Sequence, residues 1–136
     1  MIPMESATTS LWREALWVGA GGFLGSVARY LVSALVTRWN ASSFPLGTLT
    51  VNAIGCLAIG LAAGWLQTRW TPPSELRAFL LMGVLGGFTT FSAFGHEAAS
   101  LARDGNPGGA FLHVSLHLVV GLGLAAAGFW LAGARA

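Results

Sequence analysis

Four long apolar stretches constrain this chain more than any other feature. They cover residues 16–36, 45–66, 76–101 and 110–131. Each reaches the ~20 residues that a helix needs to cross a ~30 Å hydrocarbon core. Inside a bilayer the backbone N–H and C=O groups have no water to bond to, so such segments cross as helices. The expected fold class is all-α integral membrane, with one membrane domain over residues 1–136 and four transmembrane helices. The expected location is the cell membrane, as a multi-pass protein of the bacterial inner or plasma membrane.

Composition agrees. The chain is 54% hydrophobic and only 9% charged, against about 25% charged in a soluble domain. Six Trp and 19 Gly fit too, because Trp collects at membrane interfaces and Gly is commoner in membrane helices than in soluble ones. A net charge of +2 with no basic run excludes a nucleic-acid partner. The one cysteine, Cys56, cannot form an internal disulfide. The N-terminus lacks a basic region and a short apolar core, so it does not read as a signal peptide.

The connections are short, which makes consecutive helices antiparallel neighbours. Ser42 or Ser43 is placed to cap the second helix, with Pro45 in its first turn. Thr71 followed by Pro72 reads as the start of the third helix. The stretch from Arg103 to Gly109 reads as a plain turn. Arg13, Arg69, Arg77 and Arg135 fall on the side of the termini, and Arg38 and Arg103 on the other. That favours cytoplasmic termini only weakly and is compatible with insertion both ways. Gly21 and Gly25, Gly60 and Gly64, and Gly121 and Ala125 stand at the spacing that lets helix backbones approach closely.

Polar groups are expensive in hydrocarbon, so those within spans are candidate functional groups. Arg29 in the first span either snorkels to the interface or forms an electropositive vestibule. Thr48 and Asn52, one turn apart, share a face of the second span. The amide donors of Asn52 suit either an interhelical bond or a bare anion. In the third span, Gly86-Gly87-Phe88-Thr89-Thr90 is poor material for a regular helix, and a break in mid-membrane is expected there. Backbone groups freed by such a break must be buried in protein or line a cavity. Phe91 and Phe94 lie three apart, on one helical face. They serve either as core packing or as ring edges lining an anion path, since the edge of an aromatic ring is electropositive. In the fourth span, His113 and His117 are one turn apart, but no Cys or carboxylate nearby in sequence makes them a metal site. Ser115 points to another face. His96 and Glu97, after the expected break, are placed to solvate a vestibule. No arrangement of residues points to an enzyme.

Three stretches carry a resemblance. They are Gly21-Gly22-Phe23-Leu24-Gly25-Ser26-Val27-Ala28-Arg29-Tyr30, then Pro45-Leu46-Gly47-Thr48-Leu49-Thr50-Val51-Asn52-Ala53-Ile54-Gly55, then Gly83-Val84-Leu85-Gly86-Gly87-Phe88-Thr89-Thr90-Phe91-Ser92-Ala93-Phe94. In this order and on these spans the sequence resembles the Fluc/CrcB family of fluoride channels. The resemblance implies an antiparallel, dual-topology homodimer with two pores that exports fluoride passively. It implies that Asn52, Phe91, Phe94 and Ser115 line the pore, beside Thr48 and Thr90, with Arg29 near a vestibule. It also implies a structural sodium ion at the dimer interface, held by the backbone carbonyls of Gly86 and Thr89 from both chains. Two positions depart from the family pattern: Phe111 stands where Tyr is frequent, and Gly95 where Ser is. The rival functions are a small four-helix exporter of lipophilic cations, which needs a membrane-embedded carboxylate, and a non-transporting scaffold subunit.

Overall fold

The computed structural model describes residues 4–40, 43–68 and 71–133. Among them there is no strand, and four segments are long and apolar enough to cross a membrane. The protein is a multi-pass membrane protein.

Helix α1 runs Met4–Trp39, well beyond the expected 16–36. After Met4 no proline interrupts it, so the helix continues through the polar residues of its first turns. The part apolar enough to span, Ser10–Trp39, has 30 residues. At 1.5 Å per residue that is about 45 Å, so α1 must tilt or protrude from the hydrocarbon core. Helix α2, Leu46–Thr68, begins directly after Pro45. Of its expected caps, Ser42 lies outside the described residues, as do Arg69, Trp70 and Arg135.

The third span, Ser74–Arg103, is not one helix. It opens with α3, Ser74–Arg77, whose capping position is Pro73 with no side-chain cap. The expected cap at Thr71 and first helical position at Pro72 are therefore both too early. The reason is the pair Pro72-Pro73: a residue that precedes proline is pushed out of the helical region, so the helix starts only after the second proline. A π-helix follows over Ala78–Leu85, then the short α4, Gly86–Phe88. Thr89 (φ −82°, ψ 159°) and Thr90 (φ −150°, ψ 118°) are extended. Helix α5, Phe91–Arg103, completes the span. The break expected near the glycine pair is thus present, but at the two threonines, while Gly86 and Gly87 stay helical.

Helix α6, Pro107–Gly133, is the fourth span. The turn before it is more than plain. Gly105 takes a positive φ of 79°, and Asn106 Oδ1 accepts from the Gly109 N–H at 2.8 Å, capping α6 with Pro107 in its first turn.

Small residues set the packing. Gly21 and Gly25 of α1 press against the third span, where an added Cβ would run into the carbonyls of Phe79 and Val84. Both carbonyls belong to the π-helix, whose wider turn brings its backbone close to α1. Gly60 of α2 meets the backbone of Ala125, and Gly128 of α6 meets Leu57 O, so α2 and α6 touch backbone to backbone. Trp17 packs edge-on against Phe79 with ring centroids 6.0 Å apart. Arg13 of α1 pairs with Glu75 of α3 at 3.4 Å. Many large apolar side chains stay exposed, such as Phe23, Leu122 and Trp130. For a chain solvated by lipid tails this is the expected outer face.

Candidate functional site

The site is built around the break. Two extended residues inside a span strip the local backbone of its helical bonds, and each freed group needs a partner. Asn52 supplies two. Its Oδ1 accepts from the Thr90 N–H at 2.8 Å, and its Nδ2 donates to the Thr90 carbonyl at 2.9 Å. One amide side chain on α2 thereby replaces both bonds that Thr90 would make in a helix. Thr90 then starts α5: its Oγ1 accepts from the Ala93 N–H at 3.2 Å. Thr89 Oγ1 donates back to the Leu85 carbonyl at 3.0 Å.

This arrangement diverts two donors. In a continuous helix the Thr90 N–H would bond the Gly86 carbonyl, and the Ala93 N–H would bond that of Thr89. Here both go elsewhere, to Asn52 and to Thr90 Oγ1. The carbonyls of Gly86 and Thr89 thus lose their regular helical partners. A pair of carbonyl oxygens without regular donors has the chemistry of a hard-cation ligand set.

Two cavities flank the break. The smaller, about 450 Å³, is lined by Asn52, Gly86, Thr89, Thr90, Phe91 and Phe94 among others. All the pore and cation candidates of the third span therefore meet on one cavity with Asn52. Phe91 is 83% exposed, which is not the state of a core residue. Its ring lies 5.3 Å from that of Phe94. Cys56 and His117 also line this cavity. The signal that could have placed Cys56 here is its spacing, one turn beyond Asn52 on the face that Thr48 and Asn52 share.

The larger cavity, about 840 Å³, is an open cleft lined by Arg29, Arg38, Thr48, Thr90 and Glu97 among others. Arg29 therefore faces a polar cleft within the protein. Thr48 Oγ1 donates to Glu97 Oε1 at 2.6 Å, so its hydroxyl proton is engaged with a carboxylate. Glu97 lies on this cleft, whereas His96 is exposed. Thr90 borders both cavities.

Ser115 is half-exposed and lines neither cavity. Its neighbours on α6 do more. His113 is fully buried, with Nε2 3.4 Å from Glu97 Oε2. His117 Nδ1 lies 3.0 Å from the His113 carbonyl. Phe94 packs on both imidazoles, at centroid distances of 5.4 and 4.5 Å. Among the described residues no group of three His, Cys, Asp or Glu could hold a metal ion.

A four-span helical membrane protein with a broken span, a polar latch and cavities on either side belongs to the class that moves small solutes across membranes. Sequence comparison narrows the class to one family. The profile described as "CrcB-like protein, Camphor Resistance (CrcB)" matches residues 16–129, and the chain belongs to that family. It is similar to the "Fluoride-specific ion channel FluC" of Rhodospirillum centenum, 45% identical over 108 residues, or 79% of this chain and 86% of the relative. It is also similar to proteins of the same name from Nitrobacter winogradskyi, 42% identical over 117 residues (86% of this chain, 93% of the relative), and Methylobacillus flagellatus, 44% identical over 117 residues (85% and 91%).

Proposed function

We propose that this protein is a fluoride-selective channel that lets fluoride leave the cell passively and so limits its toxicity. The observation that carries this is the meeting of Asn52, Thr90, Phe91 and Phe94 on one cavity at a mid-membrane break, in a chain whose relatives are named as fluoride-specific channels. Fluoride is small and strongly hydrated, so donors must replace its water as it enters hydrocarbon. The latch occupies only one of the two Nδ2 hydrogens of Asn52. The other hydrogen, with the electropositive ring edges of Phe91 and Phe94, forms the donor set, and Arg29 draws anions to the cleft. Thr48 orients Glu97 beside it. Ser115 completes the pore wall from α6, on a face that a second chain would have to bring into use.

In this proposal two copies assemble antiparallel, by insertion in both orientations, as a homodimer with two pores. At their interface the carbonyls of Gly86 and Thr89 from both chains hold a sodium ion. The ion's role is structural: it supplies positive charge to carbonyls that have lost their regular helical donors. Glu97 gives the cation-exporter alternative its one foothold, as a carboxylate inside a span. Its engagement by Thr48 speaks against free exchange of protons for a cationic substrate.

Purified protein in liposomes, followed with fluoride and chloride electrodes side by side, tests the proposal. Fluoride release without chloride release, abolished by Phe91→Ile, is the expected result. No fluoride release from well-folded protein would overturn it.

A further inference from the structure

The two imidazoles of α6 have a role that the donor set above does not use. His117 Nδ1 sits 3.0 Å from the His113 carbonyl. A carbonyl only accepts, so Nδ1 must carry the proton. In the neutral ring Nε2 is then a bare lone pair. It is buried, has no hydrogen-bond partner, and belongs to a ring that lines the cavity of Asn52, Phe91 and Phe94. A lone pair repels an anion. One added proton turns the same atom into a charged N–H donor.

The surroundings prepare that ring. His113 lies 4.4 Å from it, centroid to centroid, and Phe94 covers both. Phe44 closes the far side of His113, edge-on at 5.6 Å. Both ring nitrogens of His113, and Glu97 Oε2 beside it, are buried without hydrogen-bond partners. A carboxylate oxygen 3.4 Å from His113 Nε2 supplies the counter-charge that a cationic imidazole cluster needs.

We infer, on the fluoride reading above, that His117 is a proton-dependent donor to fluoride in this passage, with His113 and Glu97 as positioning residues behind it. Other ionisable groups face the cluster. Arg29, Tyr30 and Arg38 line the cleft of Glu97 from α1, and Cys56 lines the cavity of His117 from α2. Of these residue types only histidine ordinarily changes charge between about pH 5 and 8. The sign follows: protonation exchanges a repelling lone pair for an attracting donor, so fluoride flux rises as pH falls. Fluoride in turn favours the protonated ring.

The test is fluoride efflux from liposomes at equal internal and external pH, from about 8 to about 6, with the hydrogen fluoride leak of protein-free vesicles subtracted. Flux should rise at least about threefold across that range, since histidine is the residue type that ordinarily changes charge there. His96→Gln, at an exposed position lining neither cavity, should keep the slope, and His117→Gln should flatten it. Measurable flux that is the same at every pH, or a slope that survives His117→Gln, overturns the inference and leaves the fluoride proposal standing. No flux at any pH overturns both. A readout that needs no variant is nitrogen NMR of histidine-labelled wild type. Fluoride, and not chloride, should raise one imidazole's titration midpoint, and midpoints indifferent to fluoride overturn the inference.

Discussion

Helix α2 has two working faces, and they are built on opposite principles. Toward α6 it presents Gly60 and Gly64, and the contact is backbone on backbone: Gly60 against Ala125, and Gly64 against Phe129 O and Ala132 Cβ, each within 2.7 Å of a Cβ added at Gly64. Toward the third span it presents Thr48 and Asn52, and the contact is a small set of directed hydrogen bonds to Glu97 and Thr90. Lipid tails are as apolar as leucine, so close packing and interhelical hydrogen bonds are the two means left for joining helices in a membrane. The seam with α6 uses the first and leaves no room for solutes. The junction with the third span uses the second and leaves cavities. The comparison teaches that the scaffold and the passage are separated on a single helix.

The largest effect is expected at the seam. Gly60→Leu drives a side chain into the Ala125 backbone, which cannot yield as a flexible side chain would. The cost should reach about 3 kcal/mol or more, the upper end for overpacking, and the monodisperse peak in size-exclusion chromatography should be lost. A well-folded Gly60→Leu protein would show that the seam is looser than described. Next comes the latch. Asn52→Leu strands the Thr90 N–H and C=O, at about 1–3 kcal/mol each, and fluoride efflux should drop at least about tenfold, equivalent to about 1.4 kcal/mol. Unlike the seam variant, it should still purify as a folded species. Thr90→Val removes the cap of α5 and should cost about 1 kcal/mol in thermal unfolding in detergent, while Thr90→Ser should not. The smallest change is Gly123→Ala. No atom lies within 4 Å of a Cβ added there, so its melting temperature should match wild type, within about 0.5 kcal/mol of stability. A marked loss would mean that a second chain covers this face.

The four spans were legible because hydrophobic length in a membrane is a coarse and strong signal. The start of α1 was not, because hydropathy marks where lipid begins and says nothing of how far a helix continues beyond it. The break was legible as a place, since Gly86-Gly87 and Thr89-Thr90 are weak helix formers, but composition could not say which pair would yield. The tertiary bond from Asn52 decides it in favour of the threonines, by giving Thr90 the two partners that it loses. The π-helix had no signature, because Ala78–Leu85 is a uniformly apolar run and hydropathy alone does not distinguish one width of turn from another. The amide of Asn52 reads from sequence as either an interhelical bond or a donor to an anion, and in the structure one donor and its acceptor form the interhelical bond, to the backbone of Thr90. His113 and His117 were visible as a pair one turn apart. What they face, Glu97 on α5 and the ring of Phe94, is a property of the folded bundle.

The latch also bears on how the chain is made. A membrane protein is threaded into the bilayer segment by segment. The segment of residues 74–103, released into lipid alone, would carry the N–H and C=O of Thr90 with nothing to receive them. Its broken form therefore takes its partners from a segment synthesised earlier. The same residue that shapes the passage in the finished protein thereby gives the broken span its docking point on a helix made before it.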